Sequence, residues 1–121
     1  MITFEHTSWK DRTSNMINHL YDQIKSFKYC ENNTYWLYFL KYSEDTVKIG
    51  RGKHIFDRIK RLQTTAPEQL ELLFLFYEIF EDVTHEKFKH LRTSSEFFIY
   101  NSEIKNYIKL VKKLYTKTTY I

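Results

Sequence analysis

The chain has 121 residues, 42% of them apolar and 18% aromatic, and a formal net charge of +4. That length supports one hydrophobic core, although a domain this small buries only about two-thirds of the surface its unfolded chain exposes. A lone cysteine, Cys30, excludes an internal disulfide and any Cys-rich zinc motif, and no apolar run approaches the ~20 residues of a membrane-spanning helix.

Met1 to Trp9 has neither the cationic nor the apolar region of a secretory signal, so a soluble, intracellular protein with no membrane partner is expected. Ser8 followed by Asp11 is a capping-box-like start, with Thr13 or Ser14 as alternative caps. Met16, Ile17, Leu20, Tyr21, Ile24 and Phe27 then recur at helical spacing, predicting a helix with one apolar stripe over roughly Thr13 to Tyr29. The stripe needs a cover: either the domain that follows or a second copy, as a homodimer through this helix. Glu31-Asn32-Asn33 reads as a turn.

Thr34 to Lys41 and Thr46 to Ile49 are rich in strand formers, and the polar connector Tyr42 to Asp45 suits an antiparallel hairpin. The only two glycines, Gly50 and Gly52, follow it, which points to a special backbone conformation or close approach of a ligand. Ile55, Ile59 and Leu62 mark one face of a short helix with Arg58 on its flank. After Pro67, the run from Leu72 to Tyr77 predicts a buried central strand. Glu81-Asp82 places negative charge at the start of another helix, striped by His85, Phe88 and Leu91 and ending near Arg92. Thr93-Ser94-Ser95 interrupts it. Glu96 to Tyr100 is a short extended segment, and Asn101 or Ser102 caps a last helix with Ile104, Tyr107, Ile108, Val111 and Leu114 on its apolar side. The expected architecture is α+β, a small three-stranded antiparallel sheet flanked by helices, with an extra N-terminal helix. It divides into an N-terminal extension (1–33), one domain (34–115) and a C-terminal tail (116–121).

Charge is segregated along this order. Lys48, Arg51, Lys53, Arg58, Lys60 and Arg61 face a single acid, Asp57, whereas the stretch from Leu62 to Glu86 holds acids and no Lys or Arg. Arg51 and Lys53 with the two glycines form a basic turn suited to tracking a nucleic-acid backbone, and Lys60 and Arg61 extend it. The plain alternative is a solvated face, which also suffices for Lys105, Lys109, Lys112, Lys113 and Lys117.

Trp36-Leu37-Tyr38, Lys48-Ile49-Gly50 ten residues on, then Arg58, Leu62-Gln-Thr-Thr-Ala-Pro67, His85-Glu-Lys-Phe88 and Ser95-Glu-Phe-Phe98 together resemble the GIY-YIG nuclease superfamily. More narrowly, it is similar to the phage and large-DNA-virus branch, where lysine usually replaces the second tyrosine. The likeness spans roughly residues 35–110 and rests on order and spacing, since no single piece is specific. Trp36 stands where the motif has its first glycine, and Ser95 and Phe97 where Gly and Trp are usual.

The resemblance implies a metal-dependent endonuclease that hydrolyses DNA phosphodiester bonds, structure-directed or weakly sequence-specific, with RNA as the open alternative partner. Such a reaction needs a positioned water, neutralised phosphoryl oxygens and a stabilised leaving oxygen. In the family pattern Tyr38 acts near the attacking water, orienting it or accepting its proton. An unperturbed tyrosine is a poor base at neutral pH, so Lys48 can favour its phenolate, or can bind the scissile phosphate. Arg58 offers a planar fork of donors to the phosphate. Glu96 is the candidate ligand for Mg²⁺ or Mn²⁺, which often bind through one carboxylate plus waters and substrate oxygens; Glu86 and Asp82 rank below it. His85 is a secondary catalytic candidate, with a hydrogen-bonded core histidine as its equal alternative. Two other readings compete: a catalytically inactive GIY-YIG-like nucleic-acid-binding or assembly module, and a protein-interaction domain using the N-terminal helix.

Overall fold

A computed structural model describes residues 9–31, 34–77 and 81–118. In chain order they form α1 (Trp9–Ser26), β1 (Trp36–Lys41), β2 (Thr46–Gly52), α2 (Ile55–Thr65), β3 (Glu71–Phe76), α3 (Glu81–Lys87), β4 (Arg92–Ser94), β5 (Phe97–Ile99) and α4 (Ser102–Thr118). All strand pairings are antiparallel, in the order β3-β1-β2-β5-β4. None of the described helices is long and apolar enough to cross a membrane.

Two apolar layers sandwich the sheet. Alternation along β1 sends Trp36, Tyr38 and Leu40 to one face, where they meet Leu20 and Ile24 of α1 and Ile55 and Ile59 of α2. Leu37 and Phe39 go to the other, against Phe88, Leu91, Phe98, and Ile104 and Ile108 of α4. Because both faces are covered, β1 reads as an unbroken apolar run rather than an alternating one.

The sheet has five strands where the sequence led us to expect three. The segment 97–99 joins the sheet by pairing with β2, and Arg92–Ser94, expected to be the end of a helix and the start of the Thr93-Ser94-Ser95 break, pairs with it as β4. All three β4 residues are exposed and polar, so no hydrophobic pattern announces that strand. The hairpin turns through Ser95, whose φ of 46° is a left-handed conformation that glycine adopts at lower cost.

β3 is an edge strand, not a central one. Helices on both faces account for its apolar run, and side chains close part of its outer edge. Gln23 Oε1 accepts from the Leu72 N–H at 2.8 Å while Gln23 Nε2 donates to Glu71 at 2.7 Å. Gln63, fully buried in α2, accepts from the Leu70 N–H at 2.9 Å and donates to the Glu68 carbonyl at 3.0 Å, pinning the Pro67 loop.

Helix boundaries differ too. α1 starts earlier than the apolar stripe and stops at Ser26, just before Lys28 turns left-handed (φ 58°). Ser8 and the Asn32-Asn33 part of the expected turn lie outside the described residues. Leu20 and Ile24 are fully buried in the chain's own core, so covering the α1 stripe requires no second copy. α3 ends at Lys87 and a 3₁₀ turn, Lys89–Leu91, completes the segment expected to be helical. Asn101 caps α4, its Oδ1 accepting from the Glu103 and Ile104 N–H groups at 3.0 and 3.3 Å. On that helix Ile104 and Ile108 are buried, but Leu114 is exposed.

Candidate active site

The β1–β2 register sets Tyr38 opposite Gly50 and Leu40 opposite Lys48, so Tyr38, Lys48 and position 50 share one face of the sheet. Tyr38 is wholly buried. A Cβ at position 50 would stand 2.5 Å from the Tyr38 hydroxyl, 2.7 Å from Cζ and 3.0 Å from Glu96 Oε1. Gly50 has no positive φ, so space rather than backbone conformation demands glycine there, and the groups that approach it are Tyr38 and Glu96. Gly52 is different: its nearest neighbours, Arg58 Cγ and Ile55 Cδ1, would be in ordinary contact at 3.8 and 3.9 Å.

Arg58 enters from α2, and its Nε donates to the Tyr38 hydroxyl at 3.3 Å. The start of α2 is fixed by a residue the sequence did not single out. The Tyr29 hydroxyl accepts from the Ile55 N–H at 3.2 Å and donates to the Lys53 carbonyl at 3.0 Å. It thereby caps a helix whose own preceding residue, His54, supplies no side-chain cap. Nothing in local spacing signals this bond, which spans 26 residues.

Glu96 sits in the β4–β5 turn, held by Ile49 N–H donating to its carbonyl at 2.9 Å and by Arg92 bonding the Ser95 carbonyl. Lys48 Nζ lies 3.0 Å from Glu96 Oε1 and 4.9 Å from the Phe97 ring centroid. The ammonium approaches without hydrogen-bond alignment. This enclosed oxygen therefore has a charge partner but no hydrogen-bond donor among the described residues. Sequence reasoning paired Lys48 with Tyr38 or a phosphate; here its partner is Glu96.

Burial pushes the Tyr38 hydroxyl up to about 12; the bond from Arg58 and its charge pull the other way, and Glu96 and Tyr42 add to the rise. Tyr38 is thus a phenol at neutral pH, which favours orienting a water over removing its proton. The native state holds this proton more tightly than the unfolded chain, so the stability involved is complete below pH about 10 and is lost as pH climbs through 12. Across that window we expect stability to fall by roughly 2–3 kcal/mol from this group. Urea unfolding at stepped pH measures it, and Tyr38→Phe should lack that component.

A second carboxylate, Glu81 at the start of α3, pairs with Arg51 and His85 and is near enough to Glu96 to feel its charge. Its Oε1 is 3.5 Å from Arg51 Nε and its Oε2 3.7 Å from His85 Nε2, and the side chain is 14% exposed. Oε2 is enclosed with no hydrogen-bond donor among the described residues. Burial raises the Glu81 pKa and the nearby Glu96 charge raises it further, while His85 and Arg51 lower it. Sequence reasoning saw Glu81 only as charge at a helix start and ranked Asp82 and Glu86 as the rivals of Glu96.

His85 is not in the Tyr38–Arg58 group. Its Nε2 donates to the Ile49 carbonyl at 2.8 Å and its ring packs 5.1 Å from Phe98, behind β2. Arg51 occupies the opposite face from Tyr38 and leans over Tyr35 at 4.4 Å, with Lys53 Nζ 5.1 Å from the same ring. Lys60 and Arg61 are exposed on α2.

No three His, Cys, Asp or Glu side chains come together as a metal cage among the described residues. A divalent ion held by one carboxylate, with waters and phosphate oxygens completing the shell, needs no such cage. Glu96 is the carboxylate available for such a site, but its Oε1 is enclosed with the Lys48 ammonium 3.0 Å away, so an ion would bind at the exposed 30% of the side chain or displace that ammonium. Compared with known proteins, the chain matches no family model, no curated protein and no solved structure.

Proposed function

We propose that this chain is a metal-dependent endonuclease that hydrolyses DNA phosphodiester bonds, built on the GIY-YIG-like plan its motif order resembles. One observation carries the reading: the Arg58–Tyr38 hydrogen bond and the Lys48–Glu96 ion pair, drawn from α2, β1, β2 and the β4–β5 turn, come together where Tyr38 and Glu96 both approach Gly50. A phenol, a guanidinium, an ammonium and a carboxylate at one spot are the group types that phosphodiester hydrolysis uses.

The chain's groups divide the work as follows. Arg58 keeps its charge, carries further donors beyond the Nε given to Tyr38, and neutralises phosphoryl oxygens as negative charge grows on them. Tyr38, a phenol held by Arg58, orients the attacking water through its hydroxyl. Lys48 fixes the Glu96 carboxylate and adds positive charge beside the phosphate. Glu96 is the side chain that would hold Mg²⁺ or Mn²⁺, which supplies Lewis-acid polarisation and charge neutralisation when bound.

The test is incubation of the purified full chain with single-stranded, duplex and branched DNA in Mn²⁺ or Mg²⁺. Incision that EDTA stops and added Mn²⁺ restores is expected. If no DNA is cut at high protein concentration, catalysis is wrong. One feature favours the second reading, a nucleic-acid-binding or assembly module that does not cut: an ammonium already stands 3.0 Å from the oxygen a metal would take. Salt-sensitive binding without incision is the signature of that case.

A further inference from the structure

Where β1 begins and β2 ends, the sheet face opposite Tyr38 carries a second kind of chemistry. The pairs Trp36↔Gly52 and Leu37↔Arg51 carry Tyr35, one residue before β1, level with Lys53 and diagonal to Arg51. Tyr35 is 37% exposed, whereas the ring of Tyr38 three positions on is wholly buried. The Arg51 guanidinium lies 4.4 Å and Lys53 Nζ 5.1 Å from its ring centroid. Glu81 Oε1, 3.5 Å from Arg51 Nε, pairs with the same guanidinium.

An exposed ring that packs against two cations contributes little to the core. It does have the composition of a single-strand nucleic-acid subsite: an aromatic ring that is 37% exposed, for a base to pack on, and adjacent positive charge for the phosphates. A base paired within a duplex is stacked on both faces and cannot offer one to a protein ring without leaving the helix. Location supports the assignment. Tyr38↔Gly50 and Leu37↔Arg51 are neighbouring rungs of one ladder, so the basic aromatic patch and the Tyr38–Glu96 cluster lie back to back at the same end of the sheet.

We infer that Tyr35, with Arg51 and Lys53, binds an unpaired nucleotide of a DNA strand whose phosphate reaches the Tyr38–Arg58–Glu96 cluster. This rests on the nuclease reading for the phosphate, but not for the binding. It predicts a preference for DNA carrying a single-stranded stretch beside the cut over intact duplex, without base-specific readout.

Binding of the full chain in EDTA, where nothing is cut, is measured with a short mixed-sequence single-stranded oligodeoxynucleotide carrying 2-aminopurine and with the duplex of the same sequence. Wild type is expected to bind the single strand more tightly and to quench the 2-aminopurine. Tyr35→Ala should weaken single-strand binding by about fivefold or more and relieve the quenching, with duplex binding within about twofold of wild type. Tyr35→Phe, which keeps the ring, should retain both properties and guards against a folding artefact. The inference is overturned if Tyr35→Ala binds the single strand as wild type does, if it weakens single strand and duplex alike, or if wild type does not bind the single strand. Incision in Mn²⁺ is scored separately. A protein that quenches through Tyr35 yet cuts nothing overturns the nuclease reading and supports this one. A protein that cuts while Tyr35→Ala binds unchanged does the reverse.

Discussion

Replacing Glu96 by glutamine is expected to lower metal-dependent incision by about a thousandfold or more, because the several kcal/mol that a divalent ion contributes to a phosphoryl transition state would be lost with its ligand. Glutamine nearly preserves the shape of the side chain, so the loss follows the charge. The change also strips the 10%-exposed Lys48 of its counter-charge. Glu96 is itself 30% exposed, which keeps the stability cost below the ~3–5 kcal/mol of breaking a fully buried pair. Denaturant unfolding separates this cost from the activity effect, and single-turnover incision across a Mn²⁺ titration measures the latter. Incision by Glu96→Gln within a few-fold of wild type would remove Glu96 from the metal role. Glu81→Gln would then be the informative variant, as Glu81 is the other carboxylate with an enclosed oxygen that lacks a donor.

Gly50→Ala should cost about 1–3 kcal/mol of stability, as overpacking in a filled interior does, and about a hundredfold in incision through displaced catalytic groups. The backbone at Gly50 is not left-handed, so alanine is accepted there conformationally and the penalty comes from contact alone. The atoms in the way belong to the end of the Tyr38 ring, which is wholly buried, and to the Glu96 carboxylate. Neither yields without disturbing the Arg58 and Lys48 contacts. Tyr38→Phe added to Gly50→Ala should recover stability only in part, since Cζ would still be 2.7 Å from the new methyl. Gly52→Ala is the control; with nothing closer than 3.8 Å, it should be nearly neutral. Equal stability and activity for the two alanine variants would show that the space at Gly50 has no bearing on the site.

The parts of this molecule that were readable in advance are those where local chemistry and tertiary context agree. The β1–β2 hairpin has strand formers around a polar connector, Ile55 and Ile59 of α2 are buried as their spacing suggested although Gln63 rather than Leu62 completes that buried face, and Asn101, one of two candidate caps, caps α4. The parts that were not readable depend on distant partners. An apolar run such as Leu72–Phe76 reports that both faces are covered, but not which neighbours the strand has, so β3 looked central although it lies at an edge. β4 carries no apolar signal and exists because Ser95 turns back on it.

The same division holds in the site. The motif resemblance pointed to Tyr38, Lys48, Arg58 and Glu96, which the fold brings together, but it could not assign Lys48 to Glu96 rather than to Tyr38. That choice depends on where the β4–β5 turn lands. Tyr29 and Glu81 escaped because their roles are set by contacts to α2 and to Arg51 and His85, and one tyrosine among ten has no local mark of such a task.

The outer edge of β3 is guarded in an uncommon way. Exposed edges are often protected against strand addition by lysines or other charges, whose effect fades with salt or with titration. Here the Leu72 N–H is occupied by the carboxamide of Gln23, and the Leu70 N–H just before the strand by that of Gln63. A carboxamide neither titrates nor is screened. Resistance of this edge to self-association should therefore persist through changes of ionic strength that would weaken any binding of nucleic acid by Arg51 and Lys53.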